Sequence, residues 1–144
     1  MDIYGYLKRE NAKLFDRLET VAESDDHALH KVLLNALNHD LPAYLDAKAR
    51  SLYRALKEHA GTDDYLAAFK AHVAQIHHAL EAVFAAREDG EWRLQFSALR
   101  LAVLRHLDDE EHHVFPVARR LIHGRAARHL RRRAEVALNA LEAA

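Results

Sequence analysis

The chain contains no cysteine, which excludes a disulfide, a thiolate zinc site and a cysteine nucleophile. With only 4 glycines and 2 prolines among 144 residues, few positions interrupt regular secondary structure. No stretch approaches the roughly 18 consecutive apolar residues of a membrane span, and the N-terminus has no apolar signal core. We therefore expect a cytoplasmic protein without a membrane partner.

The composition favours a single all-helical domain. Half of the residues are hydrophobic and 30% are charged, and alanine, leucine, arginine and glutamate are abundant. The formal net charge of −1 does not draw the chain as a whole toward a polyanion. Because nucleic-acid recognition motifs are also missing, we do not expect a nucleic-acid partner.

Apolar residues recur every three or four positions in several long segments, as they do in amphipathic helices. The predicted helices cover about residues 2–22, 26–59, 64–87, 91–122 and 125–144. The first four are long and joined by short turns, so we predict an all-α, up-down-up-down four-helix bundle. This bundle is assigned to residues 1–122, and a basic C-terminal helical extension to residues 123–144.

The fourth helix carries two polar residues on its apolar face. Its stripe consists of Trp92, Phe96, Leu99, Val103, His106, Glu110, Val114 and Val117. His106 and Glu110 thus stand where leucines are expected, one helical turn apart. Burying an unpaired charge is costly, so this pair requires a metal, a counter-charge or a hydrogen-bond donor from a neighbouring helix.

Each of the first three predicted helices also has a polar residue near its middle. Asn11 interrupts the first stripe, and His77 or His72 borders the third. The second stripe is Leu29, Leu33, Leu37, Leu41, Tyr44, Lys48, Leu52 and Ala55. Helix middles lie at one height in an antiparallel bundle, so we expect these polar residues, with Tyr44 and Lys48 from the second stripe, to form one layer. The other histidines, His30 among them, should be solvated.

Three segments resemble the hemerythrin-like (HHE cation-binding) family: DIYGYLKREN at the start, the run from Tyr44 to Tyr53, and HLDDEEHHVFP on the fourth helix. The resemblance spans roughly residues 2–121. It implies a four-helix bundle that holds two iron ions through histidine and carboxylate ligands. Members use such centres for O₂ or NO chemistry, for iron or redox sensing, or for storage.

Position by position, the resemblance implies that the two-iron site has degenerated. The family has a histidine where this chain has Asn11, and His-x-x-x-Glu where this chain has Tyr44 and Lys48. Lys48 would place an ammonium where a second metal would sit, and it can neutralise Glu110 without a metal. We therefore expect no di-iron cofactor.

The remaining ligands leave a mononuclear site open. His77, His106 and Glu110 form a two-histidine, one-carboxylate set suited to Fe, Mn or Zn, and His72 is the alternative to His77 on the third helix. A third possibility is metal-free acid–base chemistry by Lys48, Tyr44 and Glu110.

The leading interpretation is a non-enzymatic ligand-binding, sensory or partner-binding module with a degenerate metal site and no cofactor. The alternative is a mononuclear metal-binding protein with an oxygen, NO or redox role.

The C-terminal part of the chain is rich in arginine: Arg119, Arg120, Arg125, Arg128, Arg131, Arg132 and Arg133. This cluster is either a solvated helix face or an interaction surface for a second copy, a protein partner or a polyanion.

Overall fold

The amphipathic segments form five helices in the computed structural model, which describes residues 1–143. They are α1 (Ile3–Glu23), α2 (27–56), α3 (Asp63–Ala85), α4 (89–121) and α5 (Gly124–Ala143). The predicted all-α class is confirmed, and within the described residues the predicted ranges agree with these bounds to within a few residues. The last position of the predicted fifth helix, 144, lies outside the described residues. No helix in the described part of the chain is both long and apolar enough to cross a bilayer.

Helices α2 and α4 each contain one wider, π-helical turn. Helix α2 comprises His27–Lys48, the π segment Ala49–Tyr53 and Arg54–Leu56. Helix α4 comprises Asp89–Asp109, the π segment Glu110–Val114 and Phe115–Leu121. Pro116 follows the second π segment and has no N–H to donate back to it, which favours a widened turn there.

Short polar motifs begin and end the helices. The Asp2 carboxylate accepts the backbone N–H of Gly5 at 3.0 Å and caps α1, and Asp26 accepts the N–H of Ala28 at 3.0 Å and caps α2. Gly61 follows α2 with a φ of +81°, a conformation that other residues rarely adopt. These caps account for the short connections expected from the sequence.

Helix α5 packs against α1 and α2 and shares their hydrophobic core. Its buried face consists of Ala127, Leu130, Ala134 and Leu138. The hydroxyl of Tyr4 on α1 donates a hydrogen bond of 2.7 Å to the carbonyl of Ile122, just before α5 begins. The predicted C-terminal extension therefore forms part of the same packed structure as the preceding helices.

The start of α2 is rotated relative to its predicted stripe. Leu29 is 37% exposed, whereas His30, expected in solvent, is 9% exposed, so both predictions are wrong. The ring of His30 stacks on that of Trp92, with centroids 5.0 Å apart, and Leu34 is buried on the same side of the helix. A flat aromatic contact thus replaces an aliphatic one at this end of the core.

Replacing Leu99 by alanine should lower the free energy of unfolding by about 2–5 kcal/mol, because this side chain is fully buried and its removal leaves a cavity. Leu101→Ala on the same helix is the matched control, since Leu101 is 48% exposed, and it should cost less than about 1 kcal/mol. Urea unfolding followed by circular dichroism measures both. Equal losses would contradict the assigned packing of α4.

Candidate functional site

Polar side chains from three helices meet in the centre of the bundle. Asn11 of α1, Lys48 of α2, and His106 and Glu110 of α4 are at most 2% exposed. They lie within hydrogen-bonding distance of one another, although up to 99 positions separate them along the chain. The predicted polar layer is therefore present for these four residues.

The ammonium of Lys48 is at the middle of this layer. Its Nζ lies 2.8 Å from Glu110 Oε1, 3.0 Å from Asn11 Oδ1 and 3.2 Å from His106 Nε2. An ammonium has three N–H donors, so all of them are engaged. The Nζ also lies 4.4 Å from the ring centroid of Tyr44, within the range of a cation–π contact. The buried ammonium thus contacts three hydrogen-bond acceptors and one aromatic ring.

The carboxylate of Glu110 is equally well satisfied. Besides Lys48, its Oε1 accepts from Asn11 Nδ2 at 3.1 Å, and its Oε2 accepts from the Tyr53 hydroxyl at 2.7 Å. The Tyr44 hydroxyl donates to Asn11 Oδ1 at 2.6 Å, which fixes the orientation of that amide. Buried polar groups that all have partners make a rigid network.

The electrostatics favour the carboxylate form of Glu110. Burial would raise the pKa of Glu110, but the Lys48 ammonium, together with the Tyr53 hydrogen bond, brings it below its usual value. Burial lowers the pKa of Lys48, and the Glu110 carboxylate opposes that shift. Burial and Glu110 raise the pKa of Tyr53, which therefore keeps its proton as a donor.

The π-helical turns position this network. Lys48 is the last residue before the π segment of α2, and Glu110 is the first residue of the π segment of α4. The wider turn in α2 places Tyr53, five residues after Lys48, at the carboxylate of Glu110. A regular helix puts positions 51 and 52, not 53, on the face of Lys48, so the stripe could not identify Tyr53 as a site residue.

His106 connects the centre to a partly exposed histidine. Because an ammonium can only donate, His106 Nε2 accepts a hydrogen bond from Lys48, and the neutral ring carries its own proton on Nδ1. That Nδ1 lies 3.4 Å from Nδ1 of His72, whose side chain is 20% exposed. Burial, then the charge of Lys48, lowers the pKa of His106 to about 3, which favours the neutral form.

The helix-3 histidine expected in the metal set is not at the site. His77 is exposed, so the predicted ligands His77, His106 and Glu110 are not brought together. Ile76 faces the core, and His72 precedes it by one helical turn, whereas His77 is rotated by about 100°. Within residues 1–143, no three histidine, aspartate or glutamate side chains are grouped as a metal-binding set.

Two surface grooves approach the polar layer. One of about 590 Å³ between α1 and α4 is lined in part by Asn11, and one of about 200 Å³ is lined in part by Tyr44. Lys48 and Glu110 do not line either groove. Of the three residues considered for acid–base chemistry, Tyr44 therefore lines one of these openings, whereas Lys48 and Glu110 line neither.

Comparison of this chain with family models, curated proteins and solved structures gives no match.

Removing one member of the ion pair should be far more harmful than removing both. We expect Lys48→Met and Glu110→Leu each to lower the free energy of unfolding by about 3–5 kcal/mol, because each leaves a buried unpaired charge. The double variant should lose clearly less than the sum of the two. Urea unfolding of all four proteins measures the coupling.

The matched control for the ion pair is the surface pair of Arg50 and Asp46, 2.9 Å apart with side chains 61% and 43% exposed. Arg50→Met should change the stability by less than about 1 kcal/mol. Strictly additive losses at Lys48 and Glu110 would contradict the paired arrangement.

The stability should fall in acid partly because of His106. The unfolded chain protonates this histidine near pH 6.5 but the folded chain only near pH 3, so the unfolded state binds more protons between these values. The contribution of His106 to the free energy of unfolding is fully present above pH 6.5 and is lost as the pH falls toward 3. Between these values it decreases by about 1.4 kcal/mol per pH unit.

His106→Gln should remove that part of the slope, whereas His113→Gln should keep it, because the side chain of His113 is 65% exposed. Denaturant unfolding at a series of pH values between 4 and 7 compares the variants with the wild type. An unchanged slope in His106→Gln would mean that the neutral, buried histidine is wrongly assigned.

Proposed function

We propose that this chain is a hemerythrin-like, up-down-up-down bundle in which a buried ion pair replaces the two-iron centre. We propose further that it works as a non-enzymatic, cytoplasmic binding module. One observation carries the proposal: the Lys48 ammonium occupies the middle of the polar layer, 2.8 Å from Glu110 and 3.2 Å from His106. The resemblance noted in the sequence supplies the family.

The residues present do not fit a two-metal centre. The resemblance implies metal ligands at positions 11, 44 and 48, where this chain has an amide, a phenol and a cation. The lone pairs of His106 Nε2 and Glu110 Oε1 are directed at Lys48, so they are engaged by a positive charge already in place. A divalent cation there would be repelled by the ammonium at short range.

The relation of α1 to α4 agrees with the proposed bundle. Asn11 bonds to Glu110, and Glu19, two turns further along α1, pairs with Arg100, nearly three turns earlier on α4. The two helices therefore run in opposite directions, as the first and fourth helices of an up-down-up-down bundle do.

A binding role is favoured over catalysis because the reactive groups are already engaged. Lys48 and Glu110 have no exposed surface, and their donors and acceptors are bonded to each other and to Asn11, His106 and Tyr53. A general acid or base must reach a proton of its substrate within hydrogen-bond distance. The same closed network makes the bundle a rigid scaffold that can present its surfaces without a cofactor.

A one-metal protein is the second candidate, favoured by the 3.4 Å separation of the Nδ1 atoms of His72 and His106. Two histidine nitrogens at this distance can share a metal ion such as Zn or Fe, provided that His106 releases the proton on Nδ1. In this version His72 takes the place predicted for His77. If this candidate is right, the variant His106→Ala should lose the bound metal.

Protein produced in iron-, manganese- and zinc-supplemented medium and analysed by mass spectrometry should contain well under one metal ion per chain, and its melting temperature should not change on chelation. The variant Asn11→His/Tyr44→His/Lys48→Glu supplies the ligand types that the resemblance implies. We expect it to bind iron, because it removes the central cation and adds three donors.

Two iron ions per wild-type chain would refute the proposed function. One metal ion per chain, lost on His106→Ala but kept on His77→Ala, would replace it with the mononuclear alternative. His77 is a suitable control because it is an exposed histidine on the helix that carries His72.

A further inference from the structure

Positive charge is concentrated at one end of the molecule. Residues 112–134 include seven arginines and no aspartate or glutamate, although the whole chain has 22 acidic and 21 basic residues. The segment covers the end of α4 and the first half of α5. The chain therefore has a strongly basic region at residues 112–134 although its net charge is close to zero.

The arginines of this segment are available to a partner. Six of them are exposed: Arg119, Arg120, Arg125, Arg128, Arg132 and Arg133. Among the arginines of this segment, an ion pair in the described part of the chain is found for Arg131, which contacts Glu135 at 2.6 Å. The guanidinium of Arg119 lies 5.1 Å from the ring centroid of Tyr4, a contact that holds it in place on the surface.

A groove adjoins this basic surface between the end of α2 and the start of α5. It has a volume of about 380 Å³, and its walls include Arg54, His59, His129 and Arg133 as well as the acidic Glu58. Arg54 extends the positive surface from α5 onto α2. The basic surface is thus formed by three helices rather than by one stripe.

We propose that this basic end binds the phosphate backbone of double-stranded nucleic acid without sequence preference. Every positive residue from 119 to 133 other than histidine is arginine, whose planar fork matches phosphate oxygens in a bidentate manner. Arg125, Arg128 and Arg132 share a helix face and span about 10 Å of α5. Over that length a DNA duplex carries about six negative charges.

An anionic membrane is a poorer match for the same surface. Helices that bind at a membrane interface bury an apolar face in the lipid. The apolar face of α5, which includes Leu130 and Leu138, is buried against α1 and α2 instead. In the segment 119–133, Leu121 is the large apolar side chain that reaches the surface, at 37% exposure.

The same segment has no phenylalanine, tyrosine or tryptophan on which single-stranded bases could stack. Duplex backbone contact needs neither stacking nor a recognition motif, only positive charge of suitable extent. The expectation that nucleic acid is not a partner relied on missing motifs, and the unpaired, clustered arginines revise it. The proposal does not depend on the buried ion pair.

The test is fluorescence polarisation of the full chain with a labelled, mixed-sequence 20-base-pair DNA duplex at increasing salt. We expect a dissociation constant of about 1–100 μM near physiological salt and a slope of log K against log [salt] of about −4 to −5, for about five phosphate contacts. Arg125→Glu/Arg128→Glu/Arg132→Glu should weaken binding at least tenfold and flatten the slope.

The matched control is Lys8→Glu/Lys31→Glu/Lys70→Glu, which reverses three exposed charges outside the basic end and changes the net charge equally. It should retain most of the binding. Circular dichroism checks that both triple variants are folded. If the charge itself is responsible, Arg125→Gln/Arg128→Gln/Arg132→Gln should lose less affinity for the duplex than the glutamate variant.

Absence of duplex binding at low salt, or an equal loss in the control, would overturn the proposal. Binding to vesicles containing phosphatidylserine in preference to the duplex would overturn it as well. Failure here leaves the metal content of the protein unchanged, so it is distinguishable from failure of the proposed function.

Discussion

A lysine and a glutamate without any exposed surface constrain the rest of this structure. Each charge loses several kcal/mol of hydration on burial, and their attraction compensates only when every remaining donor and acceptor is bonded. Asn11 and His106 complete the partners of Lys48, and Tyr53 completes those of Glu110. Helices α1, α2 and α4 must therefore pack in one relative position, because sliding any of them by one residue would leave a buried charge without a partner.

The neutrality of His106 is part of the same balance. A protonated imidazole would put a second positive charge 3.2 Å from Lys48, with a single carboxylate to offset both. Burial and that neighbouring charge keep the ring neutral, and its Nε2 then serves as an acceptor. The central layer consequently contains one positive and one negative charge, so it needs no further ion for neutrality. Lys48 thus supplies the positive charge that the buried carboxylate of Glu110 requires.

Much of the fold could be predicted because helical periodicity and chain breaks are local properties. The polar layer was predictable too, since Asn11, Lys48 and Glu110 each interrupt an apolar stripe. Tyr53 was not predictable, because a π turn changes the angle between successive residues and brings position 53 to the face of Lys48. His77 was placed wrongly for a related reason. His72 and His77 both border the third stripe, and only the packing of α3 decides which one points inward.

The buried ion pair and the exposed arginines of this chain differ in how their charges are balanced. In the interior, Lys48 and Glu110 are bonded to each other and to neighbouring side chains, and neither has exposed surface. At the basic end, arginines such as Arg125 and Arg128 are solvated, and in the described chain they have no acidic partner within 4.0 Å. A charged group that is hydrated rather than paired can exchange water and counterions for a partner at little cost. The exposed arginines, rather than the buried ion pair, are therefore the charged groups that a partner can reach.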